Sequence, residues 1–190
     1  MQLSLSDIRK EDRGLMSPCG IICSGCDMQL GESLEAIKEV VQIWEGFDLA
    51  GVAKAFDMDS REVRDALRTM KRFIQVRTEA GPCPGCFLGS SPFETCSILQ
   101  CVQSKGYWTC AECGEFTGDP SLACPHSDAS ETPMGSRHRA SKFICKRYRG
   151  TNVENLARCR EIGYAAFVEE IKQRVAEGWR SWHVIAPLKP

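Results

Sequence analysis

The sequence predicts a mainly α protein, a helical body with cysteine-rich, metal-organised loops and little β structure. Three observations lead there. Apolar residues recur at helical spacing in several windows, those windows are bounded by capping or breaker residues, and alternating apolar–polar runs are scarce. Between the helical windows, cysteine concentrates in stretches rich in Gly and Pro.

The first such stretch is "SPCGIICSGCDM", which places Cys19, Cys23 and Cys26 at a C-x3-C-x2-C spacing. A helix follows in "GESLEAIKEVVQIWEGF", with Leu34, Ile37, Val40, Val41 and Trp44 on its apolar side, Ser33 as the expected N-cap and an end near Gly46. "DLAGVAKAF" fits a short second helix. Asp59 with Glu62 three residues on resembles a capping box and opens a longer helix with a seam of Val63, Ala66, Leu67, Met70 and Ile74. The Arg- and Lys-rich opposite face of that helix reads as solvated surface.

From Gly81 to Gly118 the pattern is loops plus one short helix, Ser97 to Lys105, stopped by Gly106. Residues 117–141 read as a long polar loop. Thr151 with Glu154 predicts a capped helix closing at Gly163, and Tyr164, Phe167, Val168, Ile171 and Val175 form a core-facing stripe ending at Gly178. The tail "WRSWHVIAPLKP" carries a short strand-like piece before Pro187. The expected organisation is a single domain: a cysteine-rich metal-binding region with helices at 14–118, a polar and basic loop at 119–149, and C-terminal helices at 150–190 on the same body.

Composition narrows the function. With 24 Lys and Arg against 25 Asp and Glu, the chain has no overall field to gather nucleic acid or anionic lipid. No run is long and apolar enough for a bilayer span, so no membrane role is expected. The opening "MQLSLSDIRKEDRG" lacks an apolar secretory core, which points to a cytoplasmic, reducing setting for the 12 cysteines. Random scatter would give roughly one C-x2-C pair; there are three, Cys23/Cys26, Cys83/Cys86 and Cys110/Cys113.

A C-x2-C turn presents two sulfurs from one tight loop, which suits a tetrahedral ion. Cys83-Pro84-Gly85-Cys86 and Cys110-Ala111-Glu112-Cys113 together offer a C-x2-C-x23-C-x2-C site, with Gly114 expected at positive φ after the second pair. The first cluster adds three thiols, and Cys96 and Cys101 two more. The candidate metal ligands are therefore Cys19, Cys23, Cys26, Cys83, Cys86, Cys96, Cys101, Cys110 and Cys113. Nine exceed the eight that two four-ligand centres need, and spacing alone does not divide them. Cys124, Cys145 and Cys159 lack a nearby thiol and read as ordinary cysteines; Cys124 with His126 is a weak donor pair. Zinc is the preferred cofactor and an iron–sulfur cluster the alternative, since both accept closely spaced thiolates.

C-x3-C-x2-C is also the radical-SAM spacing, but that family usually has an aromatic where this chain has Gly25, and its barrel does not fit a helical pattern. A wider set of landmarks, "SPCGIICSGC", "CPGC", "CSILQCVQSKGYWTCAECGEF" and "NLARCREIGYAAFVEE", resembles an uncharacterised family of cysteine-rich prokaryotic proteins known as a domain of unknown function. The resemblance covers residues 17–116 and about 150–180, and it implies a metal or iron–sulfur protein using the nine cysteines named above. Similar sequences often carry Pro-Cys after Glu115-Phe116, where this chain has Thr117-Gly118.

No nucleophile elbow, phosphate loop or dinucleotide fingerprint occurs, and His126, His138 and His183 stand in no catalytic pattern, so no catalytic residue is named. An unidentified protein partner fits a structural or interaction role. Nucleic-acid binding through the basic stretch from Arg137 to Arg149, which includes Phe143 and Tyr148, is the less favoured reading.

Overall fold

A computed structural model describes residues 8–89, 96–118 and 147–185. Its regular elements are helices: α1 (Asp27–Leu30), α2 (Glu32–Gly46), α3 (Leu49–Val52), α4 (Ser60–Ala80), α5 (Ser97–Ser104), α6 (Thr151–Ile162) and α7 (Tyr164–Ala176), joined by short 3-10 turns. Among the described residues no strand forms, and the one β-type pairing is an isolated antiparallel bridge between Met16 and Ile22. The expected mainly α class is what the chain adopts. The polar loop from residue 119, the pair Cys124 and His126, Cys145 and the basic residues from Arg137 to Lys146 lie outside the described residues.

The chain divides into two units, Leu30–Cys83 and the remainder on either side of it. In Leu30–Cys83, α2 and α4 pack along each other with α3 against both. The periodicity of the sequence explains which faces meet. Val41 and Val63 are buried together with Ala53, while Leu34, Ile37, Trp44, Leu67, Met70 and Ile74 are half-buried. The α4 start is as expected from its capping pair: the Asp59 carboxylate accepts from the backbone N–H of Arg61 at 2.6 Å and of Glu62 at 3.3 Å. The α2 cap differs from expectation. Gly31, at φ 75°, holds the N-cap position and Ser33 falls inside the first turn, because a left-handed residue before Glu32 already turns the chain into the helix.

The second unit is built on α6 and α7, linked through Gly163 at φ 85°. The predicted stripe is core: Tyr164, Phe167, Val168 and Ile171 are buried, and they pack with Ile8, Met16, Ile22, Trp108, Ala111 and Leu156. Thr151 does not cap α6. Gly150 takes that place at φ 81°, and the Thr151 hydroxyl donates instead to the Tyr148 carbonyl at 2.7 Å. The strand-like tail is also corrected: Ser181–His183 is a 3-10 turn, closed by the Arg180 N–H donating to His183 Nδ1 at 3.3 Å.

The N-terminal segment is locked to α7 by a buried carboxylate. Lys172 Nζ lies 2.8 Å from Asp12 Oδ1, Arg9 Nε lies 2.6 Å from Oδ2, and the Tyr164 hydroxyl donates to the Asp12 carbonyl at 3.1 Å. Burial alone raises the Asp12 carboxyl, but the hydrogen bonds from Lys172 and Arg9 outweigh it, so the group sits below the ordinary aspartate value. A carboxylate held low contributes stability that is complete above the ordinary value of 3.8 and lost as pH falls through the lowered one. Asp12→Asn is expected to destabilise the protein at neutral pH and to flatten its acid denaturation limb below about pH 4. Urea titrations of both proteins across pH 2–7 check this.

Candidate metal centre

The cysteine loops lie in the unit that carries α6 and α7, and their backbone is fixed before any thiol is considered. Residues Leu15 to Ser24 fold into a tight loop. The Met16–Ile22 bridge is closed by the Ser17 N–H donating to the Ile21 carbonyl at 2.8 Å, and the Cys23 N–H donates to the Leu15 carbonyl at 2.9 Å. Ser17 is buried; its hydroxyl accepts from the Ile21 N–H at 3.0 Å and lies 3.1 Å from Cys19 Sγ.

Two of the C-x2-C pairs adopt the same local form. Cys23–Gly25 and Cys110–Glu112 are each a single 3-10 turn, followed by an extended Cys26 or Cys113 whose N–H returns to the first cysteine's carbonyl at 2.9 and 3.1 Å. With three residues per turn, positions i and i+3 eclipse, so both side chains leave from one side of the turn. The second turn is capped reciprocally: Thr109 Oγ1 accepts from the Ala111 N–H at 3.2 Å, and Glu112 Oε1 accepts from the N–H groups of Trp108 and Thr109 at 2.7 and 2.8 Å. That Thr-x-x-Glu signal was readable in the sequence. Gly114 is not at positive φ as expected; Cys113 leaves the turn extended, and Gly85, inside the Cys83–Cys86 segment, has φ 101°.

These turns are joined to one another and to α6. The Cys110 N–H donates to the Pro18 carbonyl at 2.9 Å, which sets the second turn beside the Cys19 loop. Phe87, in the 3-10 turn Cys86–Leu88, stacks on Trp108 with ring centroids 4.0 Å apart. The Pro84 backbone passes so close to Gly14 that a Cβ there would stand 2.3 Å from the Pro84 oxygen. From α6, Asn152 Nδ2 donates to the Cys19 carbonyl at 3.1 Å and Asn155 Nδ2 to the Gly20 carbonyl at 2.9 Å. The Arg160 guanidinium donates to the carbonyls of Ala111 at 2.7 Å, Phe116 at 2.8 Å and Cys113, and lies over the Phe116 ring. Asn152, Asn155 and Arg160 carry no motif of their own, although two of them fall in the "NLARCREIG" landmark; polar residues interrupting the Val153–Leu156 stripe are their local signal.

The thiols fall into different surroundings. Cys19, Cys23 and Cys26 all act on one phenol: burial first, then the charges of Cys26, Cys19 and Cys23, hold the Tyr148 hydroxyl far above its usual range. Lys105, at the end of α5, donates to Glu115 at 3.2 Å and lies 3.8 Å from Cys113 Sγ. Its ammonium is favoured by the Glu115 hydrogen bond, against desolvation, and then by Cys113, Glu115 and Cys101. Cys96 precedes α5 and is half-buried. Cys83 is the last residue of the Leu30–Cys83 unit. Cys159 is buried in the core, and burial, with Glu112 adding, pushes its thiol up to about 12. Among the described residues, no three His, Cys, Asp or Glu side chains stand close enough together to hold a metal ion.

Gly20 tests how tightly the loop is set. It has φ 89°, and a Cβ there would lie 2.1 Å from the Asn152 carbonyl oxygen. Gly20→Ala is expected to cost more than the 1–2 kcal/mol of a left-handed alanine, roughly 3 kcal/mol or complete misfolding of the loop. Arg160→Lys, which loses the planar fork, is expected to speed amide exchange in residues 110–116 while leaving exchange in α4 unchanged. Denaturant titration and hydrogen-exchange mass spectrometry read the two effects.

No curated protein and no solved structure matches the chain. A family model does, over residues 15–124, the segment that runs from the Cys19 loop through the Cys110 turn to Cys124. Its coverage exceeds half of the sequence and takes in all nine candidate cysteines. The chain with these α6-clamped cysteine turns belongs to the family described as protein of unknown function DUF3795.

Proposed function

We propose that this is a cytoplasmic metal-binding protein in which cysteine turns ligate zinc and tie loops to a helical body, in a structural or protein-interaction role. The observation that supports this most is the shared geometry of Cys23/Cys26 and Cys110/Cys113: two thiols at eclipsed positions of a one-turn 3-10 helix, each turn held in place by hydrogen bonds that do not involve the sulfurs. Cys19, Cys86, Cys96 and Cys101 complete the candidate ligands of this unit, and Cys83 is a candidate by its three-residue spacing from Cys86 alone. Closing on an ion requires the sulfurs to move, and a change of χ1 rotamer shifts a cysteine sulfur by about 3 Å. Cys159, neutral and in the core, is not a ligand.

The close spacing of Cys19, Cys23 and Cys26 in the sequence favours one alternative, an iron–sulfur cluster on the triad serving electron transfer or redox sensing. One measurement separates the two. Protein purified without oxygen is expected to be colourless, to contain zinc by mass spectrometry, and to lose thermal stability with a strong chelator. Cys23→Ser and Cys110→Ser are expected to lower the zinc ratio, and Cys159→Ala to leave it unchanged. Iron with sulfide and a visible band that bleaches on reduction assigns the alternative; intact protein free of both metals sinks both readings.

A further inference from the structure

The unit Leu30–Cys83 carries a second apolar face that its own packing does not use. On α2, Leu34, Ile37, Val41 and Trp44 face inward. Val40, Ile43 and Phe47, at i, i+3 and i+7, form a separate stripe with relative exposures of 36%, 58% and 57%. Phe56, after α3, is 55% exposed and extends the stripe, its ring centroid 6.1 Å from that of Phe47. A solvated helix normally keeps one apolar side, and a contiguous exposed ridge with two phenylalanines is the composition of an interaction site.

The charges beside the ridge select the partner. Glu32, Glu35 and Glu39 recur at i, i+3 and i+7 on the adjoining face of α2, Glu39 beside Val40 and the other two in the turns that precede it. From Leu30 to Asp59 the only bases are Lys38, which pairs with Glu35 at 2.8 Å, and Lys54. An acidic flank repels anionic lipid and nucleic acid and attracts a basic partner. The described residues of this unit include no sheet edge to which a strand would add. We propose that the α2–α3 face docks a basic amphipathic helix of a partner protein, apolar anchors seated along Val40, Ile43, Phe47 and Phe56 and its lysines or arginines against the glutamate edge.

The probe is a fluorescent leucine–lysine amphipathic peptide of about four helical turns, with a scrambled peptide of equal composition as control, titrated onto the full chain. Saturable binding of the amphipathic peptide alone is expected. Ile43→Ser with Phe47→Ser is expected to weaken it about tenfold or more, and Glu32→Gln, Glu35→Gln and Glu39→Gln together several-fold, with most of the charge-dependent part lost on raising salt from about 50 to about 300 mM. Helical circular dichroism unchanged in the glutamine variant keeps the test valid if the serine variant unfolds. Absence of binding, equal binding of the scrambled peptide, indifference to both sets of substitutions, or sedimentation showing a dimer that Phe47→Ser dissociates would overturn the proposal.

Discussion

The fold of the cysteine-bearing unit depends on side chains of one helix donating hydrogen bonds to the carbonyls of two loops. A loop has no ladder of its own, and each carbonyl buried without a donor costs about 1–3 kcal/mol. Asn152, Asn155 and Arg160 of α6 answer that cost at Cys19, Gly20, Ala111, Phe116 and Cys113. Because the same helix serves both loops, and Pro18 links them directly to Cys110, their relative position is set by a rigid element. Asn152 and Asn155 lie on the same buried face of α6 as Val153, Leu156 and Cys159, and their hydrogen bonds to the loop carbonyls are what make buried asparagines tolerable in that helix.

The sequence made the helices legible because burial follows periodicity. The stripe from Tyr164 to Val175 and the Asp59 cap needed no tertiary information. The caps of α2 and α6 were misplaced for one reason: Ser33 and Thr151 look like caps, but a preceding glycine at positive φ ends the loop first, and a glycine's φ is not written in its neighbours. The cysteine turns were legible as C-x2-C spacing, while their anchoring was not. Arg160 reaches Ala111 across 49 residues, and no local pattern announces such a contact. The Thr109–Glu112 box is a local capping signal lying inside the cysteine motif itself, and it fixes the turn that carries Cys110.

The two units differ in how they are stabilised. The one built on α6 and α7 has a contiguous set of buried apolar side chains centred on Phe167 and Ile171, with the Asp12 ion pairs pinning its N-terminal strand of chain to α7. In Leu30–Cys83 only a few side chains, Val41, Ala53 and Val63 among them, are fully buried, and large apolar residues remain exposed. Small helical units with thin cores have little stability to spare.

Charge compensation bears on both groups of thiols within the proposed centre. Four thiolates bring more negative charge than a divalent ion cancels, and proteins offset the excess with N–H donors and nearby cations. Beside Cys101 and Cys113 stands the Lys105 ammonium, already drawn toward Cys113 and anchored by Glu115. Beside Cys19, Cys23 and Cys26 stand the Ser17 hydroxyl, 3.1 Å from Cys19 Sγ, and the half-buried Tyr148, with Arg147 next to it in the chain. Charge compensation does not by itself divide the nine cysteines between sites.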